Sequence, residues 1–241
     1  MSKVIAYGIS SEWKQIARDI LMGHLPENAV EIYSGRNRII RAVINGTPVA
    51  IKFFSRSLKN KLIYSVFASK AKRSYLYGRE ILNRGIHTPQ PLAYAERRGV
   101  LNTLQDSIYI CRFEEATDLR QYLQTGEQAW IQFARFAATL HDKGILHRDL
   151  NSTNVRVNIL PDGKTRFSLI DLNRMRLLPD AKIISRKDSG KNLVRFSYLT
   201  PEFNSFAKEY SRARKNLAID PISIINAKRH HEKQPPIKQI K

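Results

Sequence analysis

Two residues, Asn45-Gly46, dictate much of what the N-terminal part of this chain can become. They separate RIIRAVI (38–44) from TPVAIKFF (47–54), two runs rich in β-branched and aromatic residues, and Asn-Gly is the dipeptide best suited to a two-residue hairpin turn. AVEIYSG (29–35) lies just upstream, so three tightly joined strands are expected in an antiparallel sheet. Before them, SSEWKQIARDILM spaces Trp13, Ile16, Ala17, Ile20 and Leu21 as a helix does, after a serine cap and ahead of Pro26. After them, ASKAKRSYLYGREILNRGI predicts a helix ending near Gly85. HTPQPLAYAERRG and DSIYICRFEE then predict two more strands, giving a five-strand antiparallel sheet.

The period changes after FEEATDLRQYL. EQAWIQFARFAATLHDKGI puts Trp130, Ile131, Phe133, Ala134, Ala137, Ala138, Leu140 and His141 on one wide apolar stripe, which predicts a long, mostly buried helix. VRVNILPDGKTRFSLIDL reads as a hairpin turning at Pro161-Asp162-Gly163, with its second strand ending at Asp171. The remainder is helical and basic, and the tail from about His230 is expected to be disordered. The fold class is therefore α+β with two lobes: a sheet lobe over 1–111 and a mainly helical lobe over 112–241.

Between the long helix and the hairpin lies GILHRDLNSTNVRV (144–157). There His147-Arg148-Asp149 is followed, five residues after the Asp, by Asn154. Phosphoryl transfer needs the nucleotide phosphates held, a divalent metal to neutralise charge, and a carboxylate to orient the accepting hydroxyl. Each part has a candidate. Lys52, on the third strand in Val49-Ala50-Ile51-Lys52, can project an ammonium onto phosphates, although an exposed strand lysine looks the same. Glu80, on the following helix, is placed to pair with it. Asp149 is the candidate base, Asn154 offers an amide oxygen to a metal, and His147 braces the loop. Asp171 offers a carboxylate for Mg²⁺ at a strand end, where a lone Asp would otherwise cap a turn. IYSGRNRII holds a single glycine, Gly35, with Arg36 and Arg38 beside it. It reads equally as a phosphate-covering turn or a plain hairpin turn.

Charge narrows the partners. The chain carries 41 Lys/Arg against 21 Asp/Glu, a formal net charge of +20. That implies a nucleic acid, an anionic membrane face or a phosphorylated substrate as partner, with a generally basic, soluble surface as the plain alternative. Most aromatics fall in strands or the buried stripe, where a core role suffices, so the nucleic-acid reading is disfavoured. A single cysteine, Cys111, forms no internal disulfide and fits a reducing cytoplasm. MSKVIAYGISSEWK turns polar too early for a signal core, and the longest apolar runs fall far short of the roughly 20 residues a span needs, so a soluble or peripheral protein is expected.

With these residues in place, the chain resembles the protein-kinase-like superfamily, and within it the lipopolysaccharide core kinases that phosphorylate Kdo or heptose. REILNRGIHTPQPLAY (79–94), IDLNRMRL (170–177, in place of Asp-Phe-Gly) and KNLVRFSYL (191–199) carry the resemblance. It implies a two-lobed fold with ATP and Mg²⁺ as phosphoryl donor and cofactor. Lys52 and Glu80 would hold phosphates, Asp149 would be the base, and Asn154 and Asp171 would hold metal. Cys111 to Glu115, Phe113 included, would face adenine through backbone groups. An acidic lipid-linked sugar at the inner face of the cytoplasmic membrane would account for the charge, with Lys191 and Arg195 at the acceptor and basic residues of 52–79 and 174–195 along its approach. The chain departs from protein kinases in lacking an Ala-Pro-Glu segment after Asp171 and in carrying Asn151 where Ser/Thr kinases have Lys. A compact atypical protein kinase of the RIO or Bud32 type is the alternative, and HRDL and KNLVRF favour the sugar kinase. Acceptor position, nucleotide preference and oligomeric state are not legible.

Overall fold

The computed structural model describes residues 2–54, 63–179 and 182–237, which divide into two compact units. The first comprises Met1–Asn83 and Thr88–Glu114, the second Arg84–His87 and Glu115–Lys241. Part of the basic stretch 52–79 (55–62) and the end of the tail (238–241) lie outside the described residues.

The first unit is built on an antiparallel sheet. Its strands are β1 (Lys3–Gly8), β2 (Val30–Ser34), β3 (Arg38–Ile44), β4 (Thr47–Phe53), β5 (Pro91–Arg98) and β6 (Leu104–Arg112), in the order β1-β5-β6-β4-β3-β2. The β3–β4 hairpin turns at Asn45-Gly46, both with positive φ (49° and 72°), as a two-residue turn of that composition requires. The five expected strands are all present, and the sheet has a sixth. β1 was not legible because KVIAYG is an edge strand with one buried residue, Ala6, and no alternation to betray it. It is recruited by β5, pairing Ala6 with Ala95 and stacking Tyr7 on Tyr94 with ring centroids 5.2 Å apart.

The sheet's two faces have different tasks. Val49 and Ile51 point to the face covered by helix α1 (Ser11–Met22), which buries Ala17, Ile20 and Leu21 against them. Ser10 caps that helix, accepting from the Trp13 amide. Strand alternation sends Lys52 and Phe54 to the opposite face, where helix α2 (Lys70–Asn83) packs Ala71 and Tyr75 against Phe54, Tyr94 and Tyr109.

The second unit is mainly helical. It holds α3 (Leu119–Leu123), α4 (Glu127–Asp142), α5 (Arg186–Asn192), α6 (Pro201–Ala213) and α7 (Pro221–His231). Small antiparallel pairings join β7 (Thr117–Asp118), β9 (Val155–Ile159) and β10 (Thr165–Leu169), and β8 (Ile145–Leu146) with β11 (Arg176–Leu177). The predicted stripe on α4 is buried from Trp130 to His141 except at Ile131, which is half-buried. Its Phe133 meets Phe196 (4.8 Å) and Phe206 of α6 (5.7 Å) in one aromatic cluster. The helix stops at Gly144, whose φ of 67° and whose Cα face against the Lys182 carbonyl exclude any side chain. At the tail, α7 runs through His231, and Ile237 trades two hydrogen bonds with the Asn226 side chain.

Candidate active site

The segment 147–154 folds on its own side chains before it meets anything else. Asn151 Oδ1 accepts from the Thr153 and Asn154 amides (3.0 and 3.1 Å), an Asx turn that reverses the chain. Asn154 donates its amide nitrogen to the Asp149 carbonyl (2.9 Å). With Nδ2 held there, Oδ1 is the atom left to face a metal. The loop is then tied to the strand that follows the hairpin, because Ile170 N–H donates to the Asn154 carbonyl (3.0 Å) and His147 Nε2 donates to the Ile170 carbonyl (2.9 Å). Complete burial lowers the His147 pKa, so the ring is neutral and structural, as its sequence position suggested.

These bonds bring Asp149, Asn154 and Asp171 into one neighbourhood. Strand β10 ends at Leu169, so Asp171 lies two residues beyond it rather than at its end. It adopts a left-handed conformation (φ 57°, ψ 49°) and accepts from Asn173 Nδ2 at 2.6 Å. A non-glycine residue in that region is uncommon and marks an over-determined position. Asp149 is 23 % exposed and has two cationic neighbours, Arg174 at 3.7 Å and Arg195 at 3.9 Å. Arg195 was anticipated. Arg174 was expected only along the acceptor's approach, as the first residue of the basic range 174–195, and not beside Asp149. Lys191 is exposed in the last turn of α5 and is not among these neighbours.

Behind the loop runs a buried polar chain. Asn192 donates to the His147 carbonyl (2.7 Å), and its Oδ1 accepts from His141 Nε2 (3.0 Å). His141 Nδ1 meets the Tyr210 hydroxyl at 2.6 Å, and Tyr210 accepts from Arg214 (2.6 Å), which pairs with Asp142 (2.7 Å). Burial pushes the His141 pKa down to about 4, so it takes part as neutral imidazole. The sequence showed His141 only as one member of an apolar stripe.

In the first unit, Lys52 shares its face with Tyr109 and Cys111 and sits 5.4 Å from the Phe54 ring centroid. Helix α2, which covers that face, carries Glu80. Burial pushes the Cys111 thiol up to about 12, which rules out a reactive thiolate. Two amides of the stretch expected to face adenine are already engaged within the first unit. Arg112 N–H already donates to Gln90 and Phe113 N–H to Pro48 (both 2.9 Å), consumed by the sheet's own pairing. Gly35 and Arg36 form the bend between β2 and β3, where the Tyr33 ring occupies the space a Gly35 side chain would need. They line a cavity of about 600 Å³ together with Arg38, Phe53 and Arg97, and Lys52 is not part of its wall.

Asn154 Oδ1 and the Asp171 carboxylate suit Mg²⁺, which takes one or two protein oxygens and completes its shell with phosphates and water. Among the described residues no cluster of three or more His, Cys, Asp or Glu forms a dedicated metal cage. Nor is any helix there long and apolar enough to cross a membrane.

The chain is 27 % identical over 139 residues to the 3-deoxy-D-manno-octulosonic acid kinase of Pasteurella multocida (strain Pm70), covering 56 % of this chain and 53 % of that one. It is 33 % identical over 120 residues to the enzyme of that name from Xylella fastidiosa (strain M12), covering 48 % and 44 %. The chain thus spans about half the length of the curated relatives it matches. A solved structure of WaaP in complex with acyl carrier protein superposes with a TM-score of 0.62 at 16 % identity, covering 96 % of this chain and 98 % of that one, so the fold is protein-kinase-like. The model of the lipopolysaccharide kinase (Kdo/WaaP) family matches residues 54–212, a span holding every loop residue described above, and the chain belongs to that family.

Proposed function

We propose that the protein transfers the γ-phosphoryl group of ATP to a sugar hydroxyl of the lipopolysaccharide inner core, with Kdo as the acceptor rather than heptose. The observation that carries the reading is the Asp149–Asn154–Asp171 arrangement, in which three residues with oxygen-bearing side chains are gathered by bonds to the backbone that run through His147 and Ile170. The choice of Kdo rests on the names of the matching relatives.

In this reading the Asp149 carboxylate receives the hydroxyl proton as the oxygen attacks the γ-phosphorus, and ADP leaves. Lys52, supported by Glu80, binds the α- and β-phosphates. Asn154 Oδ1 and the Asp171 carboxylate hold Mg²⁺, which when bound neutralises charge on the phosphates. The net charge of +20 favours a cytoplasmic protein held peripherally at an anionic membrane face, where a lipid-linked acidic acceptor resides.

The test is transfer from labelled ATP with Mg²⁺ to Kdo–lipid A, beside a generic protein mixture, with Asp149→Asn run in parallel. Label in the glycolipid that depends on Asp149 is expected. Label confined to protein overturns the reading.

A further inference from the structure

Arg174 and Arg195 reach Asp149 from two sides. One guanidinium lies 3.7 Å from Oδ2 and the other 3.9 Å from Oδ1. Both separations exceed a hydrogen bond, so Asp149 does not consume the donors of either group. Two guanidinium groups thus face the one carboxylate that would serve the accepting hydroxyl. Each arginine is also held the same way. Arg174 is 53 % exposed between buried Asn173 and Met175, and Arg195 is 55 % exposed between buried Val194 and Phe196. The neighbours anchor the backbone while the guanidinium is presented outward.

The Arg195 segment has a second anchor, outside the span matched by the family model. Lys228 of α7 is only 1 % exposed. A buried ammonium has three donors to satisfy, and three acceptors meet it: the Val194 carbonyl (2.7 Å), the Ser197 carbonyl and the Glu232 carboxylate (2.8 Å). Glu232 accepts in turn from the Leu199 amide at 2.9 Å. One ion pair therefore fixes the backbone on both sides of Arg195.

We propose that Arg174 and Arg195 form a subsite for an anionic group of the acceptor, a carboxylate or a phosphate next to the hydroxyl that Asp149 serves, and that the Lys228–Glu232 pair positions Arg195 within it. Guanidinium groups bind such oxyanions through paired, charge-assisted hydrogen bonds. This rests on the kinase reading for the role of Asp149, but the subsite is testable by binding alone.

The experiment titrates the full chain, without ATP, with 3-deoxy-D-manno-octulosonic acid, with its carboxamide, and with inorganic phosphate, following each by NMR. ATP affinity is measured alongside for every variant. The acid is expected to bind about tenfold or more tighter than the carboxamide. Arg174→Gln and Arg195→Gln each erase that difference and leave ATP affinity unchanged. Lys228→Met reproduces Arg195→Gln, and the double variant is no weaker than Arg195→Gln alone, a non-additivity that loss of fold would not produce. Should Lys228→Met fail to fold, Glu232→Gln makes the same comparison. Arginine-dependent binding of phosphate but not of the acid supports the subsite and assigns its anion as a phosphate. Equal binding of acid and carboxamide with no phosphate binding overturns the subsite, as does an effect of the arginine variants on ATP alone. Additive Lys228 and Arg195 effects overturn the positioning role. Absence of phosphoryl transfer with arginine-dependent anion binding intact would instead count against the kinase reading.

Discussion

Asp149 is the residue on which the proposed chemistry turns, and its surroundings show why one atom would matter there. Its backbone carbonyl is engaged by Asn154 Nδ2 and by the Asn151 amide (both 2.9 Å), so the peptide is fixed while the carboxylate stays at the surface. Asp149→Asn preserves size and those backbone bonds but removes the proton acceptor. It is expected to cut the transfer rate by roughly 10²- to 10⁴-fold while leaving ATP affinity near that of the parent, read by steady-state kinetics and nucleotide titration. A rate within a factor of about two of the parent would remove Asp149 from the role of base. Histidine is the other residue with a defined state. His141 accepts no proton in the folded chain until about pH 4, because burial excludes the cation, whereas an unfolded histidine titrates near 6.5. Above pH 6.5 both states are neutral and the group contributes nothing to the pH slope. As pH falls below 6.5 the unfolded chain binds a proton that the folded chain refuses, and stability drops by about 3 kcal/mol by pH 4. His147, also lowered by burial, acts in the same direction. Denaturant midpoints across that window check the slope, and His141→Gln is expected to flatten it.

The elements matter through the faces they cover. Helix α4 carries the loop at its C-terminal end, and Phe133, fully buried, is its main contact with Phe196 and with Phe206 of α6. Phe133→Ala leaves a cavity in that cluster and is expected to cost about 3–5 kcal/mol, seen as a fall in the urea midpoint. The same substitution withdraws support from Phe196, the neighbour of Arg195, so activity of the surviving folded fraction is expected to fall as well. Strongly patterned elements were readable from their residues: the stripe on α4, the Asn45-Gly46 hairpin and the Ser10 cap all recur in the structure. Strand β1 was not readable, because an edge strand needs little burial of its own and borrows its pairing from β5. The engaged amides of Arg112 and Phe113 were hidden for the same reason, since hydrogen-bond partners from distant segments leave no mark on local sequence.

At the level of the whole molecule, each unit holds residues given a role in the proposed transfer. The first presents Lys52 on the sheet face under α2, and the second gathers Asp149, Asn154 and Asp171. In the proposed reading Mg²⁺ serves transfer rather than folding, since the described residues hold no cluster of three or more His, Cys, Asp or Glu to build a cation into the fold. Chelation is expected to abolish transfer and to leave the thermal midpoint of the nucleotide-free chain unchanged, checked by adding EDTA to both assays. A large fall in the midpoint would mean a structural cation. What the sequence determined alone was the class of the strongly patterned elements and the identity of the polar residues, because hydrophobic period, turn chemistry and motif spacing are local properties of a chain. Tertiary structure alone decided that Arg174 joins Arg195 beside Asp149, that His141 leaves its apolar stripe to bond Asn192 and Tyr210, and that a lysine 33 positions after Arg195 fixes that arginine's backbone. Those pairings depend on which buried donors and acceptors meet once the helices pack, and no spacing along the chain encodes them.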